Sequence, residues 1–108
     1  MAAKETSFRF FLDPENQILL RANFTTERGE VLRFTVQLEL HVGEEVKPLV
    51  RVDNAHGFVH QHTFYPDGRV EERRLRFASD SEAYGYAYQM LKSRWRELRE
   101  RYERASMG

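Results

Sequence analysis

The most chemically suggestive stretch of the chain is Arg51-Val-Asp-Asn-Ala-His-Gly-Phe-Val-His-Gln-His62. It holds three of the four histidines together with an aspartate, an asparagine and an arginine. Histidine changes charge near neutral pH and is the commonest metal ligand in proteins, so such a segment is typical of acid–base or metal chemistry. The segment therefore predicts a functional site, but it names no substrate.

The strand pattern around this segment gives its polar side chains a common face. Successive side chains of a strand point to opposite faces, so His60 and His62 project together, and so do Arg51 and Asp53 of the preceding strand. If residues 54–57 form a hairpin turn, Asp53 can approach His60 across the two strands. An aspartate beside a histidine fixes the tautomer that a general acid or base requires, and an arginine can hold an anionic group such as a phosphate.

These arguments assign two sets of site residues. The predicted catalytic residues are His60, His62, Asp53 and Arg51, and the predicted substrate-binding residues are Asn54, His56, Arg74 and Arg76.

Two other interpretations of the cluster stay open. Alternating histidine and phenylalanine on a strand can be a half-buried face with a purely structural role, and the residues around Gly57 can serve the turn alone. The spacing His56-x₃-His60-x-His62 can also chelate a metal ion, since histidines two apart on a strand share a face. We expect neither a metal ion nor another cofactor.

Composition limits the class of protein. A chain of 108 residues forms one domain, and its 17 basic and 17 acidic side chains give a formal net charge of zero. No general positive field recruits nucleic acid, so RNA binding requires a local patch. Cysteine is absent, which excludes disulfides and thiolate catalysis. The N-terminus does not resemble a signal peptide and no segment is apolar enough to span a membrane, so we expect a cytoplasmic protein with no membrane contact.

Hydrophobic periodicity predicts an α+β fold. A period of two residues, typical of antiparallel strands, dominates the first two thirds of the chain. It predicts six strands, at residues 7–12, 17–26, 31–42, 46–53, 58–65 and 69–77. Ser79-Asp-Ser-Glu82 is a capping box, and the helical spacing that follows predicts a helix over residues 79–104. The prediction is one domain: a flexible segment 1–6, a meander-like antiparallel sheet over 7–77, and one long C-terminal helix packed on it.

The last third of the chain is rich in arginine and tyrosine. Acidic residues alternate with the arginines, so the pattern indicates either a solvated surface or a groove that faces RNA, where arginine pairs with phosphates and stacks on bases. Tyr86 lies off the apolar stripe of the helix, which predicts that it is exposed.

A resemblance to a known group rests on Val50-Arg-Val-Asp-Asn-Ala-His-Gly57, His60-x-His62 and Pro66-Asp-Gly68. These motifs resemble those of small uncharacterised prokaryotic families close to the TumE-type toxin–antitoxin proteins. The resemblance implies a toxin-type role beside an antitoxin protein, with a suspected ribonuclease activity.

Two functions from different classes follow. The first is a small toxin-like, metal-independent ribonuclease in which His60 and His62 share the acid and base roles, Asp53 orients a histidine, and Arg51 stabilises charge on the phosphorus. The second is a non-catalytic module that binds a protein, including a second copy of itself. Because one helix is short for covering six strands, we expect a homodimer.

Overall fold

The computed structural model describes residues 2–107 and contains a six-stranded antiparallel sheet followed by one long helix. The strands pair in chain order, so the sheet is a meander in which every neighbour in space is a neighbour in sequence. This confirms the predicted α+β fold class. The elements are β1 (Lys4–Asp13), β2 (Ile18–Glu27), β3 (Glu30–Val42), β4 (Glu45–Asp53), β5 (Val59–Phe64), β6 (Val70–Leu75) and α1 (Asp80–Met107).

The core lies between one face of the sheet and α1. Alternating apolar residues of the central strands meet across the ladder; Leu20 is opposite Leu38, and Leu38 is opposite Val50. The apolar stripe of α1 covers this face, and Leu91 and Ala87 become inaccessible to water. Burial of these side chains is the main stabilising contribution to the fold. The other face of the sheet therefore carries the side chains that alternate with these core residues along each strand.

The start of β1 differs from the prediction. Strand pairing begins at Lys4, which is opposite Thr26, so the predicted flexible segment 1–6 is wrong for residues 4–6. The apolar pattern did not reveal this, because these residues are mostly exposed on an edge strand and are held by backbone hydrogen bonds. Met1 of that segment lies outside the described residues. At the other end, α1 continues to Met107, beyond the predicted end near residue 104.

Pro48 lies at a bulge in β4. The register between β3 and β4 shifts there: Leu38 is opposite Val50, whereas Glu39 is opposite Pro48. The bulge lets an interior strand accommodate a residue that has no backbone N–H. The charged strand β6 lies at the edge of the sheet.

The helix begins at its predicted cap. The backbone N–H of Glu82 donates to Ser79 Oγ at 3.1 Å, which is one half of the capping box. As predicted, Tyr86 is exposed. Over the range that the structure describes, no helix has the length and apolarity needed to cross a bilayer.

Candidate active site

The sheet face opposite α1, here called the open face, carries the predicted catalytic residues. In the β4–β5 register Arg51 is opposite His62 and Asp53 is opposite His60, so the side chains of all four project to this face. Val50 and Val52, which alternate with them, belong to the core on the other face. The predicted cross-strand pairing of Asp53 with His60 is confirmed, but the imidazole that lies near the Asp53 carboxylate is that of His62.

Asp53 links the turn to the site. Its Oδ1 accepts a hydrogen bond from the backbone N–H of Ala55 at 3.0 Å, which holds the start of the 54–57 turn. Its Oδ2 lies 3.5 Å from Arg51 Nε and 3.7 Å from His62 Nδ1. One carboxylate oxygen thus stabilises the turn, while the other faces Arg51 and His62. This arrangement can orient an imidazole for proton transfer.

His60 is buried without a full set of polar partners. Its side chain packs against the Phe58 ring, with 4.1 Å between centroids, and only 8% of the residue is exposed. Its Nδ1 contacts Glu72 Oε1, yet neither ring nitrogen has a hydrogen bond of acceptable geometry within residues 2–107. Buried polar atoms are seldom left in this state, so the ring nitrogens have unused bonding capacity.

The histidines belong to a ladder of rings along β5. The His60 and His62 centroids are 5.8 Å apart with an angle of 18° between the ring planes, and His62 is 6.4 Å from Phe64. Arginines lie over the two ends of the ladder: Arg74 Cζ is 3.9 Å from the Phe58 centroid and Arg51 Cζ is 5.4 Å from that of Phe64. Two parallel imidazoles between two guanidinium groups form a surface suited to an anionic, ring-bearing ligand.

Of the residues predicted to bind substrate, Asn54 and His56 occupy different environments. The Asn54 side chain is buried and accepts from Phe34 N–H at 2.9 Å while its amide donates to the Leu32 carbonyl at 3.1 Å. Its amide is thus engaged by the backbone of β3, which assigns it a structural role. His56 is exposed in the turn, with its ring centroid 6.3 Å from that of His60.

Arg74 and Arg76 share a groove beside the histidines. Arg74 is opposite His60 in the β5–β6 register. The groove has a volume of about 420 Å³, and both arginines line it together with Gly57, Phe58 and the start of α1. An anionic ligand that reaches His60 from this side would meet two guanidinium groups.

Glu72 is a site residue that the sequence interpretation missed. It is opposite His62 on β6, and its Oε1 contacts His60 Nδ1 and lies 3.9 Å from His62 Nε2. Four consecutive charged residues, 71–74, give no alternation from which to predict which of them face the histidines. The signal that was available is the short turn at Pro66–Gly68, because pairing Phe64 with Val70 across it places position 72 beside position 62.

A second polar cluster on the open face surrounds Glu39, whose side chain is only 2% exposed. Arg21 Nε donates to its Oε2 at 3.0 Å, Gln37 Nε2 donates to the same oxygen at 2.8 Å, and His41 Nε2 lies 3.2 Å from its Oε1. Burial by itself would raise the pKa of Glu39, but the hydrogen bonds from Arg21, Gln37 and His41 outweigh it and lower the pKa. This carboxylate is therefore ionised, and both of its oxygens are engaged by neighbouring side chains.

A family model described as "Domain of unknown function (DUF7718)" matches residues 1–107. The chain belongs to the DUF7718 family. No curated protein and no solved structure matches the chain significantly. The matched range includes all six strands and every residue of the histidine cluster, so the candidate site lies within the DUF7718 domain.

Proposed function

We propose that this DUF7718 protein is a small toxin-like ribonuclease of the cytoplasm that cleaves RNA by acid–base catalysis at the open face without a metal ion. The observation that carries the proposal is the convergence of two near-parallel imidazoles, an aspartate and an arginine on four neighbouring side-chain positions of β4 and β5. Histidine pairs of this kind can exchange protons with both oxygens of a phosphodiester that change their bonding.

The reaction assigns one role to each side chain. One imidazole accepts the proton of the ribose 2′-OH, whose oxygen then attacks the adjacent phosphorus. The bond from phosphorus to the 5′-oxygen breaks, and the other imidazole donates a proton to that leaving oxygen. The products are a 2′,3′-cyclic phosphate and a free 5′-OH. Of the two imidazoles, that of His62 lies near Asp53, which holds its tautomer, while Arg51 stabilises negative charge on the phosphoryl oxygens.

Binding of the RNA strand is assigned to the groove beside His60. Arg74 and Arg76 would pair with phosphates, and His56 at the exposed turn would contact the ligand at the margin of the site. A base would stack on the ring ladder of β5, since aromatic faces bind single-stranded bases with little sequence preference. These local contacts supply the attraction that a chain of zero net charge otherwise lacks.

The test is cleavage of single-stranded RNA by the purified protein in EDTA. We expect wild type to give cyclic-phosphate ends and to leave an otherwise identical strand with 2′-deoxyribose intact. His60→Ala and His62→Ala should each lower the rate by about 100-fold or more. His41→Ala, which removes an imidazole of the same face outside the cluster, should retain the rate. Unchanged cleavage by the His60 and His62 variants, or no cleavage by wild type, would contradict the proposal.

The toxin role has its own test in cells. Induced wild type should arrest growth, and a soluble His60→Ala/His62→Ala double variant should not. An antitoxin protein would then be identified as the neighbouring product that restores growth and co-purifies with wild type. Equal growth of cells that express wild type and cells that express the double variant would contradict the toxin role.

A protein-binding module is the second candidate function, and one patch of the open face favours it. Phe11 of the edge strand β1 is 45% exposed and lies over His41, whose partner across the ladder, Val46, is 49% exposed. An exposed apolar patch beside a free strand edge is suited to docking a protein, including a second copy in a homodimer. Light scattering should then report a dimer that Phe11→Ser dissociates; a monomeric wild type would count against the homodimer.

A further inference from the structure

We propose that His60, His62 and Glu72 form a binding site for one divalent transition-metal ion of the Zn²⁺ class. The three side chains offer ligand atoms that all lie within 4.8 Å of one another. The site departs from the expectation that the chain holds no metal, and it replaces the exposed His56 of the sequence pattern with a carboxylate from β6. Two histidines and one carboxylate are a ligand set that zinc and related ions accept, with a further position open to water.

The fold brings the three ligands together by strand geometry alone. His60 and His62 are two residues apart on β5 and share a face, and Glu72 is the cross-strand partner of His62. Cross-strand partners have Cβ atoms about 5 Å apart, within reach of one ion. The ligands therefore sit on paired strands rather than on loops, which limits how far the two imidazoles can separate.

The bonding state of the imidazoles is the independent observation that points to an ion. His60 Nδ1 and Nε2 and His62 Nδ1 are buried and lack hydrogen-bond partners among the described residues. Unsatisfied buried nitrogens are costly, and coordination of a cation by His60 would satisfy one of them, while binding of the ion through His62 Nε2 would leave Nδ1 of that ring protonated to donate to Asp53. A purely structural histidine ladder gives no reason for the nitrogens to be left in this way.

Glu72 has to adjust to bind the ion. Ligands of a tetrahedral zinc ion are about 3.3 Å apart, given metal–ligand bonds of about 2.0 Å. Glu72 Oε1 is closer than this to His60 Nδ1 and farther, at 3.9 Å, from His62 Nε2. Its side chain is 53% exposed and free to shift between the two rings.

Asp53 completes the arrangement behind His62. If His62 Nε2 binds the ion, the proton of the ring must be on Nδ1, which points to Asp53 Oδ2. The distance between Nδ1 and Oδ2 is 3.7 Å in this structure. A carboxylate in this position fixes the tautomer of a metal-binding histidine and increases its basicity. Asp53 is itself held by the Ala55 N–H and lies near Arg51, so it is a positioning residue rather than a ligand.

The inference stands apart from the proposed ribonuclease although it uses the same imidazoles. An ion bound to His60 and His62 occupies nitrogens that would otherwise transfer protons, so Zn²⁺ would inhibit a metal-independent reaction. Metal binding is measured without RNA, and RNA cleavage is measured in EDTA, so either proposal can fail while the other stands.

The test is titration of the full chain, freed of metal by a chelator, with Zn²⁺ in a calorimeter and with Co²⁺ followed by its visible absorption. We expect one ion per chain, intense absorption typical of a four-coordinate Co²⁺ site, and a higher Tm in the presence of Zn²⁺. Glu72→Gln should weaken binding by more than about tenfold, and Asp53→Asn should weaken it by about 10- to 100-fold.

Glu71→Gln is the matched control. It removes the same charge from the preceding residue of β6, whose side chain faces the α1 side of the sheet opposite Thr63, and it should leave the affinity unchanged. Circular dichroism of each variant verifies that the sheet is intact. Absence of saturable binding to wild type, or equal weakening by Glu71→Gln and Glu72→Gln, would overturn the inference. An affinity retained by Glu72→Gln or by His62→Ala would do so as well.

Discussion

Arg21 and Glu39 form a two-point ion pair across β2 and β3, with Arg21 Nε 3.0 Å from Oε2 and Arg21 Nη2 3.2 Å from Oε1 of Glu39. The carboxylate is buried on the open face, whereas the arginine side chain is 35% exposed. If the pair is broken, water can therefore hydrate Arg21 but not Glu39. This difference determines how much stability is lost when one partner is removed.

Glu39→Gln should destabilise the protein by about 2–3 kcal/mol. The substitution keeps the side-chain volume but leaves the Arg21 guanidinium without its anion. The NH₂ group of the new amide also faces hydrogen-bond donors, where the carboxylate had an acceptor oxygen. Partial hydration of Arg21 keeps the loss below that of a fully buried pair. Urea unfolding measures it, with Glu44→Gln in the exposed β3–β4 turn as a control that should change stability by less than about 0.5 kcal/mol. Equal stability of the two variants would show that the network contributes little.

The same carboxylate predicts a dependence of stability on pH. The pKa of Glu39 is lowered in the folded protein, so its stabilisation is complete above its ordinary value of 4.5 and is lost as the pH falls through the folded pKa. Unfolding free energies at about pH 7 and about pH 3 should therefore differ more for wild type than for Glu39→Gln. An identical pH dependence of the two proteins would contradict this assignment.

Asn54→Ala should cost about 2–3 kcal/mol of stability, because it leaves the Phe34 N–H and the Leu32 carbonyl without their side-chain partner. If Asn54 is structural, the folded variant should retain the wild-type RNA cleavage rate and Zn²⁺ affinity. A stable variant that loses substrate affinity would instead restore Asn54 to the substrate-binding residues. Unfolding curves and Michaelis constants separate the two outcomes.

Two glycine-to-alanine substitutions should change stability in opposite directions. Gly57, in the turn before His60, has φ of +85°, and Gly85 lies within α1; an added Cβ meets no atom within 4 Å at either position. Only backbone conformation then matters. Gly57→Ala should cost about 1 kcal/mol, whereas Gly85→Ala should stabilise the helix by about 0.5–1 kcal/mol. Thermal unfolding of both variants measures the pair, and a shift of the same sign would contradict the explanation.

The sequence predicted the sheet because its strands have one apolar face. Alternation fixed which residues of β2 to β5 face the core, since a slip of one residue would expose the whole set. It also indicated that Asp53 pairs with His60 if residues 54–57 form a hairpin turn, and the β4–β5 register has this pairing. Lys4 escaped prediction, since pairing at an exposed edge depends on the backbone and leaves no apolar signature.

The missed site residues are those whose role depends on pairing between strands. Glu39 alternates with apolar residues as a solvated side chain does, and only the β2–β3 register places Arg21 beside it and buries it. Glu72 is one of four consecutive charges, so the residue that faces His62 is decided by the register of β6 rather than by its composition. The cluster was thus predictable within the β4–β5 hairpin but not beyond it.

The position of Glu72 on an edge strand gives its charge a second role. β6 leaves one side of its backbone unpaired, and residues 70–74 are exposed, so charged side chains there oppose the addition of a strand from another molecule and hence aggregation. Solubility would be served by a charge of either sign at position 72, whereas a cation site accepts only the carboxylate. Glu72→Lys separates the two requirements: it should remain as soluble as wild type while losing the metal ion.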